Sequence, residues 1–344
     1  MDPLLELCSK SRWLLGDDSI SIGDSGKAFL NAAVRDLRST QQALEMQGSP
    51  VLAFCGMTNV GKSTLLNAIF GVRIAPVSNG DWSARPVVYQ YSKEQRIISA
   101  DQNHLQTLSF NTEEELKDAL VRLSTMDDPE KSVGKKHLVV QLDSPILQNG
   151  LIICDMPGFL ATTGEADTVE QGTHDIDIRN FLEEGRSYLR TFIVSNAKIP
   201  DDSVVTFIRD NFQSAHLSII INYRASENID ERKESLESAW RSELARALDF
   251  HYINAKRALR EEEPEEREEL IRHLQKYSDP DGRREIARQD LIRLFSDTGF
   301  FLRDFLRIPD MTSLFRRQRL EVVRERIRIL KDKELTEIFN KFWR

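Results

Sequence analysis

The chain has 344 residues, of which 40% are hydrophobic and 30% are charged. This length and composition predict a globular protein with one large domain and an appended module, and they exclude a disordered tail or a collagen-like fibre. The 55 acidic and 47 basic side chains leave a net charge of −8, which argues against a surface built to coat nucleic acid. Nucleic acid is therefore not expected to be the main partner.

The three cysteines, Cys8, Cys55 and Cys154, lack close spacing. They predict neither a disulfide framework nor a thiolate metal site, and this favours a reducing compartment. The charge-free stretch around the first predicted strand is shorter than the roughly 18 residues of a membrane-spanning helix. The N-terminus has no basic start for a secretory signal, and Asp2 stands where myristoylation requires glycine. We expect a cytoplasmic protein, with peripheral membrane contact left open.

The predicted elements begin with a helix over residues 24–47, which precedes the main domain. From Val51 onward, short apolar runs alternate with turns and with helical segments such as residues 63–70 and 203–213. This alternation predicts an α/β domain around a mostly parallel sheet. The eight apolar runs expected to be strands are VLAFC, PVVYQY, RIISA, HLVVQL, LIICD, TFIVS, LSIIIN and FHYIN.

Outside the sheet, the sequence predicts surface helices and solvated segments. A helical insert at residues 112–123 is expected to begin with a capping box formed by Asn111 and Glu114. The acidic run at residues 260–269 predicts a solvated loop or helix face. The basic run at residues 316–334 has apolar side chains at helical spacing, so it predicts an amphipathic helix that packs on another helix, with direct lipid binding as the alternative. Its apolar residues are Leu320, Val323, Ile327 and Leu330.

These patterns divide the chain into three segments. Residues 1–49 are expected to form an N-terminal helical segment, and residues 50–308 the α/β domain. Residues 309–344 are expected to form a C-terminal helical segment that packs with the N-terminal helix. The predicted architecture is therefore an α/β domain flanked by a helical bundle from both termini.

A glycine-rich loop follows the first predicted strand. Residues 56–63 read GMTNVGKS and match the P-loop pattern GxxxxGK[ST]. In this pattern the glycines let backbone N–H groups wrap a phosphate, Lys62 reaches the β and γ phosphates, and Ser63 ligates Mg²⁺. Its setting between a strand and a helix favours a nucleotide site over a structural glycine turn. Lys62 is expected to be a charge on the solvent side rather than part of the core.

A second motif, LIICDMPGF, is an apolar strand that ends in Asp155 and is followed by Pro157 and Gly158. An aspartate at such a strand end can hold Mg²⁺ through water, and the Gly158 amide can sense a γ-phosphate. The alternative is a buried structural aspartate. Together with the P-loop, this motif favours a site that binds and hydrolyses a nucleotide.

In combination, these motifs resemble those of the dynamin superfamily of large GTPases, within the translation-factor-like class. GMTNVGKSTLLNAIFG looks like the first motif of the family, SNGDWSARPVVYQ like its first switch, SPILQNGLIICDMPGF like the strand pair and second switch, and TFIVSNAKIPDD like the next strand. FHYINAKRAL is similar to the fifth motif, whose backbone and lysine stack around the base. The resemblance covers about residues 24–260.

The resemblance implies a P-loop GTPase fold and catalysis by positioning, in which Lys62, Ser83 and Gly158 are the catalytic residues. Glu165 is a weak candidate for orienting the attacking water. The metal ligands implied for Mg²⁺ are Ser63, Ser83 and Asp155. The nucleotide-binding residues implied are Gly56, Met57, Thr58, Asn59, Val60, Gly61, Lys62, Ser63, Thr64, Asn222, Asn254, Ala255 and Lys256.

Two positions depart from the family pattern. Ser83 stands where the first switch carries a threonine, and its hydroxyl can make the same ligation with less conformational restraint. The fourth motif, N/T-K-x-D, reads Asn222-Tyr223-Arg224-Ala225 here. Because alanine cannot accept hydrogen bonds from N1 and N2 of guanine, this change weakens the usual discrimination against adenine. Glu227 could substitute for the missing aspartate if the loop bulges.

Asn59 occupies the P-loop position at which potassium-activated GTPases of the Era and tRNA-modification type carry asparagine. A potassium ion there would offset charge that develops between the β and γ phosphates, as an arginine finger does. The alternative is that Asn59 only accommodates the turn of the loop.

The resemblance implies a GTPase that requires Mg²⁺, with K⁺ as a further cofactor candidate, and that binds GTP and GDP. It also implies helices that move with nucleotide state, self-association through the GTPase domain or with a related dynamin-like partner, and membrane remodelling. Two alternatives stay open. One is a nucleotide-binding structural partner with little hydrolysis, and the other is an Era-like GTPase associated with RNA or the ribosome.

Overall fold

The computed structural model describes most of the chain, and every structural statement below concerns the residues that it describes. These are residues 2–16, 20, 22–45, 49–75, 86–101, 104–124, 137–159, 189–211, 217–244, 248–260, 262, 264–307 and 311–343. Two expected site residues, Ser83 and Glu165, lie outside the described residues.

A nine-stranded sheet forms the centre of the α/β part, in the order β4-β3-β5-β2-β6-β1-β7-β8-β9. The strands are β1 (Val51–Met57), β2 (Val87–Tyr91), β3 (Gln95–Asp101), β4 (His104–Phe110), β5 (Leu138–Leu142), β6 (Ile152–Phe159), β7 (Leu189–Asn196), β8 (Leu217–Asn222) and β9 (Asp249–Ile253). The five neighbouring strands from β6 to β9 are parallel to one another, whereas β2 runs antiparallel to β6. The mostly parallel α/β fold predicted from the apolar runs is thus confirmed.

The strands that the sequence predicts best lie in the middle of this sheet. β1 is buried from Val51 to Gly56, and β8 is buried from Leu217 to Ile221, as expected for strands covered on both faces. β4 is not one of the eight runs expected from the sequence. It lies at the end of the sheet, and its sequence HLQTLSF mixes apolar and polar residues instead of forming a continuous apolar run.

Twelve α-helices accompany the sheet in the described part of the chain. They are α1 (Pro3–Leu15), α2 (Asp24–Leu44), α3 (Lys62–Phe70), α4 (Glu113–Ser124), α5 (Asp202–Asn211), α6 (Lys233–Leu244), α7 (Ala255–Leu259), α8 (Pro264–Gln275), α9 (Pro280–Phe300), α10 (Met311–Leu314), α11 (Arg317–Leu330) and α12 (Lys333–Phe342). A π-helical turn, Phe301–Phe305, directly follows α9. Across the described residues, we find no helix with an apolar stretch long enough to span a bilayer.

The cap of α4 differs from the expected one. The Thr112 hydroxyl accepts a hydrogen bond from the backbone N of Glu115, at 3.2 Å, and the Glu115 carboxylate accepts one from the backbone N of Asn111, at 3.1 Å. The capping residues are therefore Thr112 and Glu115 rather than Asn111 and Glu114. Both residue pairs have the required spacing, and only the backbone geometry selects between them.

The C-terminal helical region is divided, because the backbone turns between α11 and α12. Lys331 adopts a left-handed conformation with a φ of 54° and ends α11. The side chain of Asp332 then accepts a hydrogen bond from the backbone N of Leu335 and caps the next helix. The C-terminal helical segment expected over residues 309–344 is thus divided into the three helices α10, α11 and α12.

The chain forms two compact units. The first, called the helical unit, contains the described residues up to Glu45 and those from Asp279 onward. The second contains the sheet and comprises Ser49–Asn211 and Leu217–Ser278. The C-terminal part of the helical unit therefore begins at Asp279, 30 residues before the boundary expected at residue 309. The reason is that α9 packs against α2 and α12, and all three belong to the helical unit.

The core of the helical unit joins both ends of the chain. Trp343 is fully buried, its indole N–H donates to the Phe295 carbonyl at 3.0 Å, and its ring stacks on Phe339. Leu320, Val323 and Ile327 of α11 are buried in the same cluster as Leu4, Leu7 and Leu37. The apolar stripe of the basic run therefore packs against other helices, as expected from its spacing.

Gly299 allows α9 and α12 to approach closely, and its replacement should destabilise the helical unit. A Cβ at this position would lie 2.3 Å from the Cβ of Phe342. We expect Gly299→Ala to lower the free energy of unfolding by about 1–3 kcal/mol, because the clash outweighs the gain in helix propensity. Urea titration followed by circular dichroism measures this. Gly23→Ala, at the N-cap of α2, is a control without a clash, since nothing lies within 4 Å of its added Cβ. A midpoint of Gly299→Ala equal to that of the wild type would contradict the packing described.

Candidate functional site

The glycine-rich loop connects β1 to α3 and has the backbone conformation that its sequence requires. Asn59 and Gly61 both have positive φ, at 64° and 88°. A Cβ on Gly56 would lie 2.3 Å from the Val194 carbonyl oxygen, and a Cβ on Gly61 would lie 2.4 Å from Nδ2 of Asn222. A side chain at either glycine would therefore push the loop away from its neighbours. The backbone N–H groups at the start of α3 are oriented as an anion site requires.

Lys62 is buried rather than on the solvent side, so that expectation is wrong. Only 9% of the residue is exposed, and its Nζ donates to the carbonyl oxygens of Gly56 and Met57, each at 3.2 Å. The ammonium group is held over the loop because a buried cation needs acceptors to replace its hydration. It is thereby held against the backbone of the loop that is expected to bind phosphate.

Asp155 is a buried carboxylate beside this lysine. It is 2% exposed, and burial raises its pKa from 3.8 to about 6, although Lys62 and a hydrogen bond with Ser63 act to lower it. Its Oδ1 has no hydrogen-bond partner among the described residues. A buried, unpartnered carboxylate oxygen next to the Ser63 hydroxyl is an arrangement that fits Mg²⁺, which prefers oxygen ligands. Metal binding would also remove the cost of burying the unpaired oxygen.

Gly158 lies at the end of β6, directly beside the loop. It pairs with Gly56 across the two parallel strands, and a Cβ on Gly158 would lie 2.6 Å from the Thr58 hydroxyl. The second motif therefore lies so close to Thr58 of the P-loop that a Cβ on Gly158 would displace the Thr58 side chain.

Asn222 connects the loop to the segment after β9. Its Nδ2 donates to the Val60 carbonyl at 2.8 Å, and its Oδ1 accepts from the backbone N of Ala255 at 3.1 Å. Asn254 begins α7, because its side chain accepts from the backbone N of Arg257 at 3.1 Å. The first, fourth and fifth motifs are thus joined through side-chain hydrogen bonds.

The altered end of the fourth motif is open to solvent. Ala225 is exposed, and the backbone N of Arg224 donates to a carboxylate oxygen of Glu227 at 2.7 Å. That oxygen of Glu227 closes the turn in which Ala225 lies. Lys256, at the start of α7, is also exposed.

The structure therefore gathers most of the expected residues at one edge of the sheet, where β1, β6, β8 and β9 end. Ligands bind at this edge in open parallel sheets. Thr64 follows Ser63 in the first turn of α3, and Ser83 lies outside the described residues. The residues found here are the loop from Gly56 to Thr64, Asp155, Gly158, Asn222, Asn254, Ala255 and Lys256.

Sequence reasoning missed Glu266, which lies in the acidic run interpreted as a solvated face. Glu265, Glu268 and Glu269 of that run are exposed, as expected. Glu266 is half-buried, and it accepts hydrogen bonds from the Tyr223 hydroxyl and from the backbone N of Asn254. Its position between exposed glutamates in the sequence carries no signal of this role.

Comparisons with known proteins agree with this geometry. Residues 52–199 match the model of the dynamin family. Phragmoplastin DRP1A from Arabidopsis thaliana is 22% identical over 169 residues, and dynamin-related protein 12A from Glycine max is 21% identical; each match covers 47% of this chain and 27% of the relative. This chain therefore spans about a quarter of the length of those relatives.

A solved structure of an oligomerised bacterial dynamin pair, which senses and tethers membranes over long range, has the same fold. The TM-score is 0.50 at 14% identity, and the match covers 84% of this chain and 47% of the other. The family resemblance inferred from the motifs is thereby confirmed over residues 52–199, which match the dynamin family.

Proposed function

We propose that this protein binds GTP together with Mg²⁺ and hydrolyses it to GDP. The observation that carries this proposal is that buried Asp155 lies beside buried Lys62 of the P-loop, within residues 52–199, which match the dynamin family. The metal, when bound, would neutralise charge on the β and γ phosphates. Ser63, Ser83 and Asp155 are the residues proposed to hold it.

The remaining residues are proposed to position the nucleotide. The loop amides and Lys62 hold the phosphates, and the Gly158 amide detects the γ-phosphate. Asn222, through its hydrogen bonds with Val60 and Ala255, holds the fifth motif, which is proposed to contact the base, next to the P-loop. The backbone at Ala255 and the aliphatic part of the Lys256 side chain cover the base. In this arrangement the protein contributes orientation and electrostatic stabilisation, which are the main sources of catalysis in phosphoryl transfer.

We further propose that nucleotide state is coupled to self-association, either through the GTPase domain or with a related dynamin-like partner, and to peripheral membrane contact. The support is analogy with the bacterial dynamin pair, which is oligomerised and tethers membranes. A nucleotide-binding partner with little hydrolysis is the competing function. The observations that favour it are the absence of a carboxylate at Ala225 and the serine at position 83, where the family carries a threonine.

The first experiment removes the charge of Lys62 while keeping its length. We expect Lys62→Met to lower the rate of GTP hydrolysis by about 100-fold or more, because phosphate stabilisation by a buried cation is lost. Phosphate release measures turnover, and circular dichroism checks the fold. Lys117→Ala, at an exposed position of α4, is the control and should keep the wild-type rate. Equal rates in all three proteins would contradict the assignment of the site, and a wild type that binds GTP without turnover would favour the partner function.

The second experiment concerns Asn59, whose side chain is exposed on a loop residue with positive φ. If Asn59 holds a potassium ion beside the phosphates, hydrolysis should be faster in KCl than in NaCl at equal ionic strength. We expect this difference to disappear in Asn59→Ala. Identical wild-type rates in the two salts would show that Asn59 only accommodates the turn.

The third experiment restores the missing carboxylate. We expect the wild type to prefer GTP to ATP, but by less than relatives with the complete fourth motif. Ala225→Asp should raise the ratio of GTP to ATP affinity by about tenfold, if the new carboxylate recovers roughly 1.4 kcal/mol. Competition against a labelled nucleotide measures the ratio. An unchanged ratio, or tighter binding of ATP than of GTP by the wild type, would mean that the base is recognised by a different route.

A further inference from the structure

Glu266, near the start of α8, joins the two loops that are proposed to surround the base. One carboxylate oxygen accepts from the Tyr223 hydroxyl, and the other accepts from the backbone N of Asn254, at 3.0 Å. Tyr223 belongs to the fourth motif and Asn254 to the fifth. A single carboxylate therefore uses both of its oxygens to bind two segments that follow different strands. Such hydrogen bonds to a charged acceptor are stronger than those between neutral groups.

The neighbouring residue ties α8 to the phosphate-binding helix. Nε of Arg267 donates to the Ala68 carbonyl in the last turn of α3, at 2.6 Å. A cation at this position also interacts favourably with the C-terminal end of the helix. Glu266 is thus attached to a helix that is itself fixed to α3, so that its two hydrogen bonds set the position of the base loops relative to the P-loop.

The sequence of the fourth motif makes such a support necessary. In the complete motif the aspartate accepts hydrogen bonds from N1 and N2 of guanine, whereas this chain has Ala225 at that position and Tyr223 in place of the lysine. Two further hydrogen bonds link the two loops, one from the backbone N of Ala255 to Asn222 and one from the backbone N of Tyr223 to the Ile253 carbonyl, both at 3.1 Å. Neither of them holds the side chain of Tyr223.

We infer that Glu266 is a positioning residue for base recognition, and that it holds the Tyr223 ring and the fifth-motif backbone in the arrangement that binds guanine. This inference rests on the proposed function. It differs from a purely structural role of the same carboxylate in one respect. A positioning role affects binding of the base and leaves the phosphate site unchanged, whereas a structural role affects both.

The test compares GTP with inorganic tripolyphosphate as competitors of a labelled GTP, in the full chain. We expect Glu266→Gln and Tyr223→Phe each to raise the dissociation constant of GTP by about three- to tenfold, as for the loss of one charge-assisted hydrogen bond. The dissociation constant of tripolyphosphate should stay at the wild-type value. Glu265→Gln, at an exposed position of the same helix, is the matched control and should change neither.

The double variant Tyr223→Phe/Glu266→Gln provides a second readout. The glutamine carbonyl can still accept from Asn254, and its amide then faces the position of the lost hydroxyl. We therefore expect the dissociation constant of GTP for the double variant to be no higher than that of the single variant with the higher value. An equal loss of GTP and tripolyphosphate affinity, unchanged GTP affinity in Glu266→Gln, or additive effects of the two changes would overturn the inference. A wild-type chain that binds no GTP would contradict the proposed function itself.

Discussion

The side-chain amide of Asn222 is the interaction on which the geometry of the nucleotide site depends. It donates to the Val60 carbonyl in the phosphate loop and accepts from the backbone N of Ala255 after β9. A Cβ on Gly61 would lie 2.4 Å from Nδ2 of the same amide. The glycine at position 61 therefore leaves the space that the Asn222 side chain occupies. The parallel strands place three loops at one edge of the sheet, and this amide holds two of them in register.

The second constraint is electrostatic. Lys62 and Asp155 are both buried, and each would be costly to bury in the charged form without a partner. The lysine is satisfied by carbonyl oxygens of its own loop, whereas Asp155 keeps one oxygen without a partner among the described residues and a pKa near 6. The site therefore holds a buried carboxylate that a divalent cation would stabilise. This arrangement links the stability of the loop region to the occupancy of the site.

The helical unit has a different organisation. Its core is made by helices from both ends of the chain, with Trp343 packed on Phe295 and Phe339. Close packing at Gly299 brings α9 and α12 together. The contacts of α1 with α11 and of α2 with α9 join segments that precede and follow the α/β domain in the sequence, so they form only by closing a loop over that domain.

The amino-acid sequence by itself determined the α/β class, the P-loop and the Asp155 motif, because these follow from local periodicity and from short spacings that a loop or strand end requires. The helical stripe of Leu320, Val323 and Ile327 was predictable for the same reason. Only the tertiary structure decided that Lys62 is buried, that Thr112 and not Asn111 caps α4, and that the C-terminal part of the helical unit begins with α9. The tertiary structure also decided that Glu266 accepts hydrogen bonds from the Tyr223 hydroxyl and from the backbone N of Asn254. In a run of similar glutamates nothing local distinguishes one from the next, since a side chain becomes half-buried and hydrogen-bonded only through the packing of segments far apart in the chain.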